Sequence, residues 1–522
     1  MADKEKFINS INEGYSFKGD SILLGCSILN SETLQGVHIK LPLKTMNRHG
    51  LIAGATGTGK TKTLQIIAEG LSSKSVPVLM MDIKGDLSGL AQPGETNPKI
   101  EERSQKIGIQ YTPSGFPVEL LTISNEKGVR LRATVSEFGP VLFSKILELN
   151  DTQTGIVSVI FKYCDDNKYP LLDLKDFKKM LQYITEEGKK EIESSYGKIS
   201  TSSTGTILRK VIELEQQQAD LFFGESSFEV EDLVKIDETG KGVISIIRLT
   251  DIQNKPKLFS TFLLCMLVEI YNTFPEEGDS NQPKLVIFID EAHLLFQEAS
   301  KALLSQIESI IKLIRSKGVG IFFCTQNPTD IPDSVLSQLG MKVQHSLRAF
   351  TANDRKQIKL ISQNYPISEF YNIEELLTSM GIGEAAVTVL SEKGNPTPLA
   401  ATLLCAPASR MDILNEMEID TLVGKSTLTH KYNQIIDRES AYEILTNKLN
   451  AAHEIAEQGI KNSENGTETT NVKEEKSTVE KVLTSTTARQ VGRTVARELT
   501  RGLLGVLGIG GSTSRKKKTG WF

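Results

Sequence analysis

Lys60, Thr61, Asp290 and Glu291 are the residues whose types and settings could do chemistry together in this chain. The first two close the run Gly54-Ala55-Thr56-Gly57-Thr58-Gly59-Lys60-Thr61, which follows the apolar stretch Leu51-Ile52-Ala53. The spacing G-x-x-x-x-G-K-T between a short strand and a helix is that of a phosphate-binding loop. Its glycines let the backbone curl into a nest of N–H groups aimed at phosphate oxygens, and the helix N-terminus adds partial positive charge. Lys60 is expected to reach the β- and γ-phosphates, and Thr61 to hold Mg²⁺ through its hydroxyl. Gly54 to Thr61, with Lys62, are the expected nucleotide contacts, and ATP with Mg²⁺ the expected cofactors.

Asp290 and Glu291 end the apolar run Leu285-Val286-Ile287-Phe288-Ile289. Two acids after such a strand, downstream of a phosphate loop, form a Walker B element. Asp290 is expected to hold Mg²⁺ through a water or through Thr61, and Glu291 to orient and polarise the attacking water. Asp-Glu-Ala-His at 290–293 matches the DEAH-box helicase string, but none of the other motifs of that class is present. Gly320 to Cys324 forms another apolar run, ending in Thr325-Gln326-Asn327, where Gln326 could sense the γ-phosphate. Asp82, at the end of Val78-Leu79-Met80-Met81, could accept a hydrogen bond from a Mg²⁺-bound water or simply open a turn. Arg48 and His49 either touch the nucleotide or lie on a solvated strand edge.

These residues need an α/β scaffold. The wholly apolar runs at 51–53, 78–82, 285–289 and 320–324 are strands of the type buried in a parallel sheet. Between them, residues 63–71 continue the phosphate-loop helix. Residues 300–316 carry Leu303, Ile307, Ile311 and Ile314 on one helical face and end in Arg315-Ser316-Lys317-Gly318. A strand over 341–347 ends in Arg348. A strand after Walker B with a polar end suits the ATPase branch that uses a catalytic glutamate and places an extra strand between the phosphate-loop and Walker B strands.

The expected organisation is a β-rich lead-in (1–48), an ATPase core (49–92 and 243–410) and a mainly helical insertion (93–242). C-terminal helices (411–457), a disordered linker (458–480) and a basic amphipathic segment (481–522) follow. The linker is rich in Glu, Asn, Thr and Ser. In the last segment Arg489, Arg493, Arg497 and Arg501 recur four apart, on one helix face, with Val and Leu interleaved. Their charge could meet acidic core residues, DNA phosphates or anionic lipid.

The chain has 522 residues and a net charge of −5, so no global positive field announces nucleic acid, and any such surface is local. Hydrophobic residues make up 39% and charged residues 24%, as in soluble globular proteins. The 5 cysteines are scattered without C-x-x-C, which excludes a zinc-ribbon or disulfide framework and suits a cytoplasmic protein. No apolar run reaches the ~18 residues of a membrane span, and the most apolar helix, over 258–274, is expected to be buried.

Gly-Ala-Thr-Gly-Thr-Gly-Lys-Thr, Asp-Ile-Lys-Gly-Asp-Leu-Ser-Gly-Leu, Phe-Ile-Asp-Glu-Ala-His-Leu-Leu, Cys-Thr-Gln-Asn-Pro and Val-Gln-His-Ser-Leu-Arg-Ala-Phe-Thr together resemble the HerA-like ATPases of the HerA–FtsK superfamily, nearest its YjgR-like branch. The resemblance spans about residues 20–410 and recurs around Gly492 to Gly511. It implies a RecA-like core, a homohexameric ring, and ATP-driven translocation on DNA, as in a helicase. It also implies an arginine donated by the neighbouring subunit. Arg315 is favoured for that role and Arg348 for one nearer the same subunit's site. A nuclease partner is implied by resemblance alone, and the lead-in is shorter than a full HAS-type barrel. An ATP-switched factor that assembles or remodels proteins is the other class of function.

Overall fold

The computed structural model describes residues 2–451, apart from positions 254, 279, 299, 300, 435 and 437. The expected linker and the arginine segment around 489–501 lie outside the described residues. The chain divides after Asn447, and the described residues up to that point form the first, compact unit.

Among the described residues the first unit is built on one sheet of 12 strands. In chain order these are β1 (Ser21–Leu29), β2 (Glu32–Pro42), β3 (Gly50–Ala53), β4 (Val78–Asp82), β5 (Val118–Thr122), β6 (Val129–Arg130), β7 (Ile244–Arg248), β8 (Leu285–Ile289), β9 (Val319–Thr325), β10 (Met341–Gln344), β11 (Glu384–Thr388) and β12 (Ala400–Leu404). Across the sheet they run β2-β1-β12-β11-β10-β3-β9-β8-β4-β7-β5-β6. From β10 to β6 every neighbouring pair is parallel; from β10 back to β2 every pair is antiparallel. β9 lies between β3 and β8, the extra strand expected of the glutamate branch.

Every residue of β3, β4, β8 and β9 is buried, as strands covered on both faces must be. Alternate residues serve alternate faces. Ile52, Val78, Met80, Val286, Phe288 and Phe322 join one cluster with Leu64, Ile67 and Leu71 of the phosphate-loop helix α2 (Lys60–Ser73) and with Phe7 and Ile11 of α1 (Ala2–Gly14). Phe288 and Phe322 face each other across β8 and β9, with ring centroids 5.3 Å apart. On the opposite face Phe323 meets Phe296, at 5.5 Å, from a short helix after β8.

Three local expectations differ from the structure. The first residues form α1, because Phe7, Ile11 and Tyr15 fall four apart and are all buried. Val118–Thr122 is a core strand, β5, paired along its length with β7, although Pro113 and Pro117 before it suggest irregular chain. The stretch from Arg130 to Val135, whose residues suggest a strand within the helical insertion, leaves the sheet almost at once. Thr134 caps the helix α3 (Val135–Ile146), its backbone N–H bonded to Glu137 at 2.8 Å, and that turn ends the strand. Helices then dominate up to β7, among them α4 (Asp151–Asn167), α5 (Leu174–Tyr183), α6 (Lys189–Tyr196) and α7 (Thr201–Gln216). The apolar helix α8 (Pro256–Thr273) is buried, as expected.

The far side of β6 is closed. Asn433, just after α9 (Thr427–Tyr432), accepts from the Arg130 N–H at 2.8 Å and donates to the Gly128 carbonyl at 3.1 Å. β2, at the other end of the sheet, meets β1 with two breaks in register.

Phe322 is fully buried in β9, an inner strand of the parallel half, between the two strands that carry the loops of interest. Phe322→Ala is expected to cost about 3–5 kcal/mol. The check is a clear fall in melting temperature; a variant melting with wild type would contradict it.

Candidate nucleotide site

The loop after β3 is shaped by backbone that only glycine adopts freely. Gly54 has φ 152° and Gly59, just before α2, has φ 111°. At Gly54 a Cβ would lie 2.5 Å from the Cβ of His345, so a side chain is excluded by space as well as by conformation. The loop is braced from both neighbours of β3. The Gly54 N–H donates to Thr325 at 3.3 Å, the Ala55 N–H to Ser346 at 2.9 Å, and the Gly383 N–H to the Thr58 carbonyl at 3.0 Å. Thr56 and Gly57 form the exposed crest.

Inside the loop the Lys60 ammonium donates to the carbonyls of Gly54 (2.7 Å) and Ala55 (3.1 Å). Burial pulls its pKa below the ordinary lysine value. Lys62 goes elsewhere: its ammonium donates to the Met411 carbonyl, so its side chain turns toward the segment after β12. Glu69, two turns on, accepts from the Ala408 and Ser409 N–H groups at 2.8 and 3.0 Å.

Asp290 and Glu291 follow β8 and are both buried. Burial raises the Asp290 pKa, while Lys84 and the Cys324 thiol, which hydrogen-bonds to the carboxylate, oppose the rise. Glu291 sits at φ 46°. Its carboxylate is held between the Lys84 ammonium and His293 Nδ1, the latter at 3.0 Å. Neither Glu291 oxygen has a well-aligned hydrogen bond.

The loop after β4 touches both elements. Asp82 is 1% exposed and spends both oxygens on its own turn, accepting from the N–H groups of Gly85 (2.7 Å), Asp86 (3.2 Å) and Leu87 (3.1 Å). Burial, with the Asp86 charge beside it, pushes its pKa up to about 7. It is the staple of the turn. The carboxylate that reaches Thr61 is that of Asp86, whose Oδ2 accepts from the Thr61 hydroxyl at 3.1 Å. Asp290 Oδ2 and Asp86 Oδ1 are buried without a hydrogen-bond partner. These carboxylates and the Thr61 hydroxyl offer oxygen donors only, the chemistry a hard divalent cation such as Mg²⁺ requires.

Gln326 is exposed just past β9, between the phosphate loop and the Walker B acids. Arg348 donates to the Thr56 carbonyl of its own loop at 3.3 Å. Arg315 is exposed at the start of the turn into β9. That is the opposite edge of the sheet, since the other end of β9, Thr325, is the one that pairs with Ala53. Arg48 and His49 also lie at that edge, before β3, and not at the loop. His49 is buried rather than solvated: Nε2 bonds to the Ile311 carbonyl at 2.8 Å and Nδ1 accepts from the Ile321 N–H at 3.0 Å.

His345, Asp86 and Lys84 are members of the site that residue types alone do not single out. His345 is fully buried under the loop, its Nε2 2.9 Å from the Thr63 hydroxyl. Burial, helped by the Lys60 charge, lowers its pKa from the ordinary 6.5 to about 4.

The profile of the family described as "Helicase HerA-like C-terminal" matches residues 27–515. This chain belongs to the HerA-like C-terminal helicase family. Among curated proteins it is similar to the DNA double-strand break repair helicases HerA of Sulfolobus acidocaldarius, at 22% identity over 67% of this chain, and of Saccharolobus solfataricus, at 23% over 68%. It is also similar to the DNA import protein CedB of Sulfolobus acidocaldarius, at 25% identity over 68% of this chain and 52% of that protein. The chain spans 64% of the length of the two HerA proteins. Among solved structures it resembles the bacterial conjugative coupling protein TrwBΔN70, with a TM-score of 0.50 and 13% identity over 78% of this chain and 94% of that one. This HerA-like chain thus has an α/β, RecA-like core in which a largely parallel sheet carries the phosphate loop and Walker B at one edge.

The buried His345 has a consequence for acid stability. Below pH 6.5 the unfolded chain takes up a proton at this residue that the folded chain refuses until about pH 4. Stability is therefore lost as pH falls through that window. In His345→Gln the slope of unfolding free energy against pH, between pH 6 and 4.5, should be smaller by about one proton. Denaturant titrations across that range read it, and equal slopes would show the ring is not held neutral.

Proposed function

We propose that this chain is a Mg²⁺-dependent ATPase that assembles as a homohexameric ring and moves on or remodels DNA. The observation that carries the reading is the convergence, at one sheet edge, of a glycine-formed phosphate loop with Lys60 and Thr61 and of two buried acids ending β8. The likeness to DNA repair helicases and a DNA import protein supports DNA as the track.

In the reaction the loop N–H groups and Lys60 bind the phosphates. Thr61, Asp290 and Asp86 hold the cation. Charge neutralisation at the β- and γ-phosphates is the chemistry that bound Mg²⁺ supplies. Glu291 orients and polarises the attacking water, and Gln326 faces the γ-phosphate from β9. Arg348 acts from the same chain, a role that its bond to the Thr56 carbonyl supports. Arg315, at the edge away from its own loop, serves a neighbouring copy. Among the described residues no helix is long and apolar enough to cross a membrane. The 5 cysteines form no disulfide, which supports the reducing cytoplasm.

Glu291→Gln should bind ATP and lose turnover by about 100-fold or more, because an amide does not polarise the water. Lys60→Ala should instead lose nucleotide affinity. Near wild-type hydrolysis by Glu291→Gln removes the Walker B assignment. Duplex DNA should stimulate wild-type hydrolysis, and the stimulation should fade with salt. Indifference to DNA, with ATPase activity intact, would favour the protein-remodelling class.

Two inactive variants test the ring. Mixing Glu291→Gln with Arg315→Ala should restore turnover at composite sites, where an intact Glu291 meets an intact neighbouring Arg315. Rescue with Arg348→Ala but not with Arg315→Ala would transfer the trans role. Full activity in a proven monomer would exclude both.

A further inference from the structure

Lys84 is not among the residues given a role in the reaction above, yet it lies at its centre. It projects from the turn after β4, which the Asp82 carboxylate fixes by three backbone hydrogen bonds. Its ammonium pairs with Glu291, and its side chain is 34% exposed, whereas that of Glu291 is only 6% exposed. Burial works against the Lys84 charge, but the Asp290 and Glu291 carboxylates outweigh it, and the ammonium is stabilised above its ordinary range. Lys84 also lies close enough to Lys60 for its charge to add to the burial that depresses the Lys60 pKa. Two lysines from separate loops therefore converge beside the Walker B acids.

Only one of them is committed to the catalytic carboxylate. While Lys84 holds Glu291 from one side and His293 holds it from the other, that carboxylate is not available to a water. A stronger anion arriving in the same space competes for the ammonium. The γ-phosphate is such an anion, and a nucleoside diphosphate lacks it. A ligand shifts such an equilibrium only by what it gains in one arrangement over the other.

Resting on the nucleotide-site reading, we propose that Lys84 is a specificity-determining residue that exchanges Glu291 for the γ-phosphate, so that a triphosphate and not a diphosphate releases the carboxylate. Lys60 grips whatever phosphates enter the loop. Lys84 reports whether the last of them is present.

The test is binding of ATPγS and of ADP, each with Mg²⁺, to the full chain by calorimetry, in wild type, Lys84→Met, Glu291→Gln and the double variant. Lys84→Met should weaken ATPγS about tenfold and leave ADP within about twofold, at a melting temperature close to wild type. Lys84→Arg, which keeps the charge, should recover part of the loss and covers the case in which the methionine variant folds poorly. The loss caused by Lys84→Met should be as large or larger in the Glu291→Gln background, because there the ammonium is already free to meet the phosphate. If that loss vanishes in the Glu291→Gln background, Lys84 merely screens Glu291 and the proposal fails. Equal losses for ATPγS and ADP, or no loss at all, overturn it as well. If wild type binds neither nucleotide, the nucleotide site itself falls and takes the proposal with it. If wild type binds both and Lys84→Met matches it, only the proposal falls.

Discussion

On β3 Ala53 lies opposite Thr325 of β9, Phe323 lies opposite Ile289 of β8, and Ile289 lies opposite Met81 of β4. The parallel register of these strands brings the first residues of their loops to one edge. Gly54, Gln326, Asp290 and Asp82 come from widely separated stretches of chain, and no contact between their side chains assembles them. Backbone ladders do, backed by the aromatic and aliphatic layers on either face. A slip of one residue in any pair would exchange the faces of every side chain on that strand and move a loop out of the row. The strands with the strictest demand on register are also wholly buried, which is where register is best specified.

Within that row the electrostatics are set by crowding. Asp290 and Glu291 lie within reach of Lys60 and Lys84, and Asp82 feels the charges of Asp86 and Asp290, in a setting where burial penalises charge. Each group has a different way of meeting the penalty. Asp82 turns to backbone N–H groups, Glu291 to a lysine and a histidine, and Asp86 to a threonine hydroxyl on one oxygen only. Asp290 Oδ2 and Asp86 Oδ1 are left without partners, a shortfall that a bound cation would relieve.

How much of this was legible depended on how far apart the interacting residues lie. The phosphate loop and the two Walker B acids could be read because each is a contiguous string whose spacing carries the chemistry. The same holds for the apolar runs of β3, β4, β8 and β9. Asp86 could not be preferred to Asp82, since Asp82 ends β4 and Asp86 follows it within one short turn. The choice depends on a turn that Asp82 itself staples and on Thr61, 25 positions away. His345 is one of 6 histidines, and nothing local says that it lies under Gly54. His49 looked like a neighbour of the nucleotide because it is close in sequence to the loop, but a strand separates the two ends of its element. β5 was hidden by the prolines before it, and α1 by the charges between its buried residues.

Asn433 has a bearing on how copies of this chain can meet. A two-residue edge strand would ordinarily offer its amide and carbonyl groups to any passing extended segment. Here one side-chain amide occupies the Arg130 N–H and the Gly128 carbonyl together, mimicking the next peptide group in the ladder. The sheet is thereby terminated by a residue that arrives from more than 300 positions later in the chain. Growth of a continuous intermolecular sheet from this end is blocked, so an assembly that used this end would be keyed by side chains on helices and loops. Contacts of that kind can loosen and reform as a bound ligand changes, which a shared backbone ladder does not readily permit.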